Sequence, residues 1–390
     1  MYEPTGRHFP YLAFLWPAFA AASASEMAAL AAKQLVNLAI GPASRSVQEP
    51  AWATPHAIAV ELKTVRLRDF SAAADDVPDV PTLLCTPLAL HSGAIADFAD
   101  GHSLVVALRD AKLKRLFVTD WRTATADMRF YGIDDYLADL NVLVDQIGGP
   151  LNLVGLCQGG WMALVYAARF PQKIRKLVLA GAPVDIEAAP SALSALADTS
   201  PFEVFRELVR LGDGIVPGAK MLKFWAVESV AAEDVQRVLQ TTEPIGSAGF
   251  ARLEARFRDW YDWTVDLPGN YFLEVVDKLY KRNEIATGKF VALGQRIDLA
   301  AITVPTFLLA ARDDELVATP QLFAVERLIG TAAADIRTAV VPCRHLGLFM
   351  GKTILKETWP EIVRWIGDPV SESAAAAPSG TPAHPVEYLQ

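Results

Sequence analysis

Residues 151–160 read LNLVGLCQGG, and residues 161–170 continue as WMALVYAARF. The first block begins as an apolar strand and the second block is typical of a helix, with Cys157 at the junction. A cysteine between Gly155 and Gly159 on such a turn predicts a nucleophile elbow, in which glycines let neighbouring backbones pass close to a strained nucleophile. The alternative is a buried structural cysteine in a glycine-containing turn.

Short apolar runs recur on both sides of this elbow and indicate further strands. Helical segments lie between most of them, such as residues 134–147, where Asp134 is a candidate N-terminal cap. The runs are 82–86, 116–119, 151–155, 177–180, 306–310 and 338–341, and residues 58–67 alternate like one half-exposed strand. Apolar strands alternating with helices predict an α/β fold with a mostly parallel sheet covered on both faces.

The alternation of strands and helices stops between about residues 187 and 300, where the sequence becomes helical and rich in aromatic residues. We therefore predict a helical cap over 187–300, inserted into a core formed by 57–186 and 301–367. The aromatic rings either form the core of the cap or line an apolar substrate channel. Residues 1–45 are predicted as an N-terminal helical arm, and residues 368–390, rich in Ala, Pro and Ser, as a disordered tail.

The N-terminal segment allows two interpretations. Residues 9–24 form an apolar run that ends in ASA, a pattern similar to the cleavage site of a signal peptide. Pro17 interrupts this run and apolar residues continue beyond it near helical spacing, which favours an amphipathic or packing helix. Both interpretations stay open. No apolar stretch reaches the ~18–20 residues of a membrane-spanning helix without a proline or a charge.

The composition excludes several classes of protein. The chain has 390 residues, of which 52% are hydrophobic, and a net charge of −9, so we expect neither a disordered chain nor a nucleic-acid-binding protein. Its three cysteines, Cys85, Cys157 and Cys343, are widely spaced and odd in number. This pattern predicts free thiols in a reducing compartment and no metal site.

An elbow nucleophile needs an acid and a histidine after it in the chain. His345 is the histidine that follows the elbow within the predicted folded region, just after the run 338–341. Asp313 and Asp314 follow the run 306–310, where the acid is expected. Adjacent residues in an extended turn point in opposite directions, so only one of these two carboxylates can reach His345. The order and position of these residues together predict a catalytic triad.

From about residue 80 to residue 367, the sequence resembles the polyhydroxyalkanoate synthases, especially the short catalytic subunits of the two-component type. The similarity rests first on a lipase-like box G-x-C-x-G-G and the segment after it, within residues 155–186. The other similar stretches are Thr119-Asp120-Trp121, residues 267–271, Asn283-Glu284-Ile285, residues 311–317 and His345-Leu346. The loop His91-Ser92-Gly93-Ala94 departs from the synthase pattern. This loop and the stretch Thr119-Asp120-Trp121 also look like those of the intracellular polyhydroxyalkanoate depolymerases, which are near relatives.

The resemblance implies an α/β-hydrolase fold with an inserted helical cap, and it selects Asp314 rather than Asp313 as the acid. We expect substrate to contact three tryptophans, and we expect no cofactor and no metal. The implied site residues are Cys157, Asp314 and His345 for catalysis, the backbone N–H groups of Gln158 and Leu88 for the oxyanion hole, and Trp121, Trp161 and Trp225 for substrate binding.

The implied activity is acyl transfer through an acyl-cysteine, with 3-hydroxyacyl-CoA polymerised into polyhydroxyalkanoate. A thiol nucleophile suits this chemistry because exchange between two thioesters is nearly isoenergetic. The alternative is an ester hydrolase of the depolymerase or thioesterase kind, and a third hypothesis is a non-catalytic scaffold at polymer granules. The expected partners are 3-hydroxyacyl-CoA or a polyhydroxyalkanoate chain, in the cytoplasm or at a granule surface, and self-association or a partner subunit stays open.

Overall fold

The computed structural model describes residues 48–72, 79–225 and 231–369, with the side chains of 223–225 left out. The predicted N-terminal arm and nearly all of the predicted tail lie outside these described residues. Within the three described ranges, no helix combines the length and the apolar character that crossing a membrane requires.

Eight strands form the central sheet, in the order β1-β2-β4-β3-β5-β6-β7-β8. They are β1 (Ala57–Glu61), β2 (Val65–Asp69), β3 (Thr82–Cys85), β4 (Leu116–Trp121), β5 (Leu151–Leu156), β6 (Ile174–Ala180), β7 (Thr306–Ala311) and β8 (Ile336–Val341). Strands β3 to β8 run parallel to one another, whereas β2 is antiparallel to both β1 and β4. The predicted α/β-hydrolase fold with a mostly parallel sheet is confirmed.

One strand prediction was wrong. Residues 58–67, predicted as a single strand, form the antiparallel hairpin of β1 and β2. The chain reverses at Leu62, whose N–H donates to the carbonyl of Val65 at 2.8 Å. The alternation of apolar and polar residues continues through this short turn, which lacks glycine and proline, so the pattern alone does not reveal the reversal.

Helices cover both faces of the sheet, and six of the described helices lie between β6 and β7, together with two short antiparallel strand pairs. They are α1 (Leu104–Asp110), α2 (Ile133–Ile147), α3 (Gln158–Arg169), α4 (Ala192–Thr199), α5 (Phe202–Leu211), α6 (Gly218–Trp225), α7 (Ala232–Leu239), α8 (Ala248–Asp262), α9 (Gly269–Glu274), α10 (Thr319–Phe323), α11 (Val325–Leu328), α12 (Gly347–Met350) and α13 (Lys352–Gly367). A π-helical turn, Val275–Lys281, follows α9. We call residues 187–300, which include α4 to α9 and this turn, the cap.

Helix α2 begins one residue earlier than predicted, and Asp134 does not cap it. The cap residue is Gly132, whose N–H donates to the carboxylate of Asp135 at 2.7 Å. The Asp134 carboxylate instead accepts the N–H of Leu293 at 2.7 Å. A partner more than 150 residues away in the chain thus determines the role of Asp134, which local sequence cannot show.

Successive residues of the inner strands point to opposite faces and build two separate apolar cores. Leu83 and Leu153 belong to the core that α2 and α3 cover, whereas Leu84 and Val154 belong to the core that α1 and α13 cover. Strands buried on both faces read as continuous apolar runs, which is why the sequence revealed them.

The stretch Thr119-Asp120-Trp121 at the end of β4 holds the hairpin and the loop after β3. The Asp120 carboxylate accepts two hydrogen bonds from the guanidinium of Arg68 in β2, at 2.9 and 2.6 Å, and both side chains are buried. The indole N–H of Trp121 donates to the carbonyl of Thr86 at 2.8 Å. This stretch therefore fixes the start of the loop that leads to Leu88.

We predict that Asp120→Asn lowers the free energy of unfolding by about 3 kcal/mol, because it leaves the buried Arg68 guanidinium without its counter-charge. Urea denaturation of the variant and the wild type measures this difference. Asp127→Asn, which removes an exposed carboxylate paired with Lys63, is the matched control and should stay near wild type. Equal losses in the two variants would contradict the structural role of the Arg68–Asp120 pair.

Candidate active site

Cys157 occupies the turn between β5 and α3 with φ 51° and ψ −123°, in the left-handed region that a cysteine rarely adopts. Its backbone N–H donates to the carbonyl of Ala180 at the end of β6, at 2.9 Å. A Cβ on Gly155 would lie 2.5 Å from the Cα of Gly160, and one on Gly159 would lie 2.2 Å from the carbonyl oxygen of Cys85. The backbone thus has the geometry of a nucleophile elbow, and its glycines are sterically required.

Asp314 and His345 lie together after β7 and β8. The carboxylate of Asp314 is 2.8 Å from Nδ1 of His345, and both side chains are 1% exposed. The other carboxylate oxygen accepts the N–H groups of Leu316 and Val317, each at 2.9 Å. Asp313 instead pairs with Arg312 at 3.3 Å, and its side chain is 56% exposed. The structure therefore brings Asp314, and not Asp313, to His345.

The second ring nitrogen of His345 is buried and has no hydrogen-bond partner of good geometry among the described residues. Burial alone would lower the pKa of His345, but the negative charge of Asp314 and the sulfur of Cys157 outweigh it, and the pKa lies well above its ordinary value. An imidazole held between a carboxylate and a thiol is suited to accept the thiol proton.

Gly181, directly after β6, leaves the space that the imidazole of His345 occupies. It has a φ of 58°, and a Cβ at this position would lie 3.1 Å from Cε1 of His345 and 2.9 Å from Leu348. Gly181 was not among the predicted site residues. A glycine at the end of a predicted apolar strand was the available signal.

Cys157, Gln158, Asp314 and His345 all line one cavity of about 720 Å³ between the core and the cap. Most of the other lining side chains are apolar, and they include Leu88, Leu193, Leu196, Phe205, Phe272 and Val276. A mostly apolar cavity with some polar groups in its wall is typical of a site for a small organic group.

Both expected oxyanion residues lie at this cavity. Gln158 is the first residue of α3, so its N–H has no acceptor within the helix. Leu88 lies in the loop after β3, and its carbonyl accepts the hydroxyl of Tyr271 in the cap at 3.2 Å. Their positions allow the predicted role, which stays a prediction.

Three tryptophans were expected to bind substrate, and the structure describes the side chains of two of them, Trp121 and Trp161. Trp121 is 2% exposed and bonds the Thr86 carbonyl, and Trp161 is fully buried behind the elbow with its indole N–H on Gln158. Neither side chain lines the cavity, and direct contact of either one with substrate stays a prediction. Each supports a loop or side chain that does line it. Trp225 ends α6, and its side chain lies outside what the structure describes.

Tyr280 is a cavity residue that the sequence interpretation missed. It lies in the π-helical turn of the cap, and its hydroxyl accepts a hydrogen bond from the side-chain amide of Gln158. Tyr280 was one of many aromatic residues in the cap, and no spacing distinguished it from those that form the cap's core.

The other two cysteines, Cys85 and Cys343, differ from Cys157 in their surroundings. Cys85 and Cys343 are buried free thiols, and burial raises the pKa of each to about 12. For Cys343 the neighbouring acidic residues 313–315 add to this increase. Neither thiol is poised to ionise at neutral pH, in contrast to what a nucleophile requires.

Two protein-family models match separate parts of the chain. One, described as alpha/beta hydrolase fold, matches residues 90–220, and the other, described as PHB de-polymerase C-terminus, matches residues 235–369. Among solved structures, the monoacylglycerol lipase of Paleococcus ferrophilus superposes with a TM-score of 0.48 and 16% identity, over 77% of this chain and 98% of the lipase.

Curated relatives include two proteins named poly(3-hydroxyalkanoate) polymerase subunit PhaC. The one from Synechocystis sp. is 25% identical over 324 residues, which are 81% of this chain and 85% of that protein. The one from Allochromatium vinosum is 26% identical over 308 residues, which are 77% of this chain and 84% of that protein. The chain therefore has the α/β-hydrolase fold and is related in sequence to the poly(3-hydroxyalkanoate) polymerase subunits.

Proposed function

We propose that the chain is an acyltransferase that polymerises 3-hydroxyacyl groups from coenzyme A thioesters through an acyl intermediate on Cys157. The observation that carries this proposal is the elbow cysteine on the same cavity wall as the hydrogen-bonded His345–Asp314 pair. The relatives named polymerase subunit support the substrate class.

In the first half-reaction, Nε2 of His345 takes the proton of the Cys157 thiol, and the sulfur attacks C1 of the CoA thioester. The carbonyl oxygen gains negative charge, which the N–H groups of Gln158 and Leu88 stabilise. When the bond from C1 to the CoA sulfur breaks, the leaving thiolate takes the proton from His345. One thioester replaces another without any change of oxidation state.

In the second half-reaction, the hydroxyl at C3 of another acyl unit attacks C1 of the acyl-cysteine. His345 accepts the hydroxyl proton, the bond from C1 to the Cys157 sulfur breaks, and the proton passes to that sulfur. An ester joins the two units and the thiol is restored. Asp314 keeps the imidazole oriented in both steps, because its carboxylate is itself fixed by two backbone N–H groups.

The same acyl-cysteine would give a hydrolase if water replaced the hydroxyl, and the match to the family described as PHB de-polymerase C-terminus favours this second candidate. The apolar lining of the cavity argues for transfer, because it limits the water that can compete with a bound hydroxyl.

The two candidates differ in their products. Purified protein is incubated separately with 3-hydroxybutyryl-CoA and with amorphous polymer, and free CoA, insoluble polymer and free acid are measured. We expect CoA release with polymer formation from the first substrate and little acid from the second. Acid release from polymer without polymer formation would identify a hydrolase. Turnover that persists in Cys157→Ala would contradict both candidates, and no turnover by the wild type would favour the scaffold.

We predict that Asp314→Asn lowers the initial rate of polymer formation by at least about 10²-fold, because the imidazole loses the acceptor that fixes its orientation and stabilises its charge. Asp313→Asn, the same change one residue earlier at an exposed carboxylate, should stay within about twofold of wild type. Rates from CoA release measure both variants. The opposite ranking would contradict the assignment of Asp314.

The raised pKa of His345 predicts how its contribution to stability depends on pH. A group with a higher pKa in the folded chain binds its proton more tightly when folded, so its contribution is complete below the unfolded pKa and is lost as pH rises through the folded pKa. We expect the advantage of wild type over His345→Gln in free energy of unfolding to be largest near pH 6 and to shrink in the alkaline range. Urea denaturation at several pH values tests this, and an advantage that grows with pH would contradict it.

A further inference from the structure

Three hydrogen-bonding side chains connect the elbow helix to the cap beside Cys157. The indole N–H of Trp161 donates to Oε1 of Gln158 at 2.7 Å, and Nε2 of Gln158 donates to the hydroxyl of Tyr280. Trp161 lies behind the cavity wall, whereas Gln158 and Tyr280 line the cavity together with Cys157. The acyl-transfer steps above do not use the hydroxyl of Tyr280.

The indole of Trp161 fixes the donor-to-acceptor direction of these two hydrogen bonds. An indole N–H can only donate, so the atom of Gln158 that faces Trp161 must be the amide oxygen. The amide nitrogen then faces Tyr280, and because an amide NH₂ can only donate, the Tyr280 oxygen accepts. The hydroxyl hydrogen of Tyr280 is therefore left to donate to a different group.

Across the described ranges, no protein acceptor is hydrogen-bonded to the Tyr280 hydroxyl hydrogen. Tyr271 also lines the cavity, but its hydroxyl already donates a hydrogen bond to the carbonyl of Leu88. Burial raises the pKa of Tyr280, and although the hydrogen bond from Gln158 opposes this, the nearby Cys157 adds to it. The phenol thus keeps its proton at neutral pH and is a donor at the wall that holds the nucleophile.

We propose that Tyr280 donates this hydrogen bond to the oxygen at C3 of the acyl group on Cys157, and that it thereby determines specificity for 3-hydroxyacyl substrates. The inference rests on the proposed function, since it concerns the acyl group which that function places on Cys157.

The proposed acyl-transfer steps give the oxygen at C3 no hydrogen-bond donor before it reacts. We assign the carbonyl oxygen at C1 to the backbone N–H groups of Gln158 and Leu88. The hydrogen bond of Tyr280 goes to the side chain of Gln158 and does not occupy these donors. The oxygen at C3 is the next polar atom along the acyl chain, and most of the cavity lining is apolar. A buried Tyr280 hydroxyl that finds no acceptor on the substrate costs binding free energy. A donor at this position therefore selects substrates that carry an oxygen at C3.

The test measures the rate of Cys157 acylation by 3-hydroxybutyryl-CoA and by butyryl-CoA, which lacks the oxygen at C3, under single-turnover conditions with mass spectrometric detection. We expect Tyr280→Phe to slow acylation by 3-hydroxybutyryl-CoA about 10- to 100-fold and to leave acylation by butyryl-CoA within about twofold of wild type. Tyr166→Phe, which removes a phenol hydroxyl bonded to Asn141 outside the cavity, is the matched control and should change neither rate.

A loss of equal size with both substrates in Tyr280→Phe, or no loss with either, would overturn the inference and leave the proposed function standing. Wild-type protein that neither CoA thioester acylates would overturn the proposed function and this inference with it. Trp161→Phe tests the direction of the two hydrogen bonds at a residue that does not line the cavity. Without the indole N–H, the side-chain amide of Gln158 is free to turn. We expect a selective loss with 3-hydroxybutyryl-CoA, and full retention of discrimination would overturn the role assigned to the indole.

Discussion

The close approach of the turn between β5 and α3 to its neighbouring strands is the constraint on which the rest of the site depends. Gly159 lies against the carbonyl of Cys85 at the end of β3, and Gly160 lies against Ala182 just after β6, where a Cβ would be 2.3 Å from the Cβ of Ala182. Because both residues are glycines without a side chain, the start of α3 can pack directly against the sheet. Cys157 is thereby held in its strained conformation, which natural proteins keep where function requires it.

The partners of Cys157 reach it because parallel strands end at the same edge of the sheet. Asp314 follows β7 and His345 follows β8, so two residues far from the elbow in sequence lie beside it in space. The backbone N–H groups that bind Asp314, and the space that Gly181 leaves, fix the imidazole between carboxylate and sulfur. The cap then closes an apolar cavity over them. The mostly apolar lining of this cavity suits an apolar group.

Much of this arrangement could be predicted from sequence, because strands buried on both faces read as apolar runs and because the glycines around Cys157 leave a local signature. The hairpin of β1 and β2 could not be predicted, since alternation continues through its turn. The role of Trp161 could not be predicted either, because the packing of α3 decides whether its indole faces the cavity or the core. Tyr280 was hidden among many aromatic residues, and only the fold shows that it reaches the residue next to the nucleophile.

Locating the acyl group tests the central claim most directly. Protein quenched in acid during turnover with 3-hydroxybutyryl-CoA is digested, and its peptides are mapped by mass spectrometry. We expect an acyl group on the peptide that contains Cys157, with the peptides of the buried Cys85 and Cys343 unmodified. An unmodified Cys157 during turnover, or an acyl group on another residue, would contradict it.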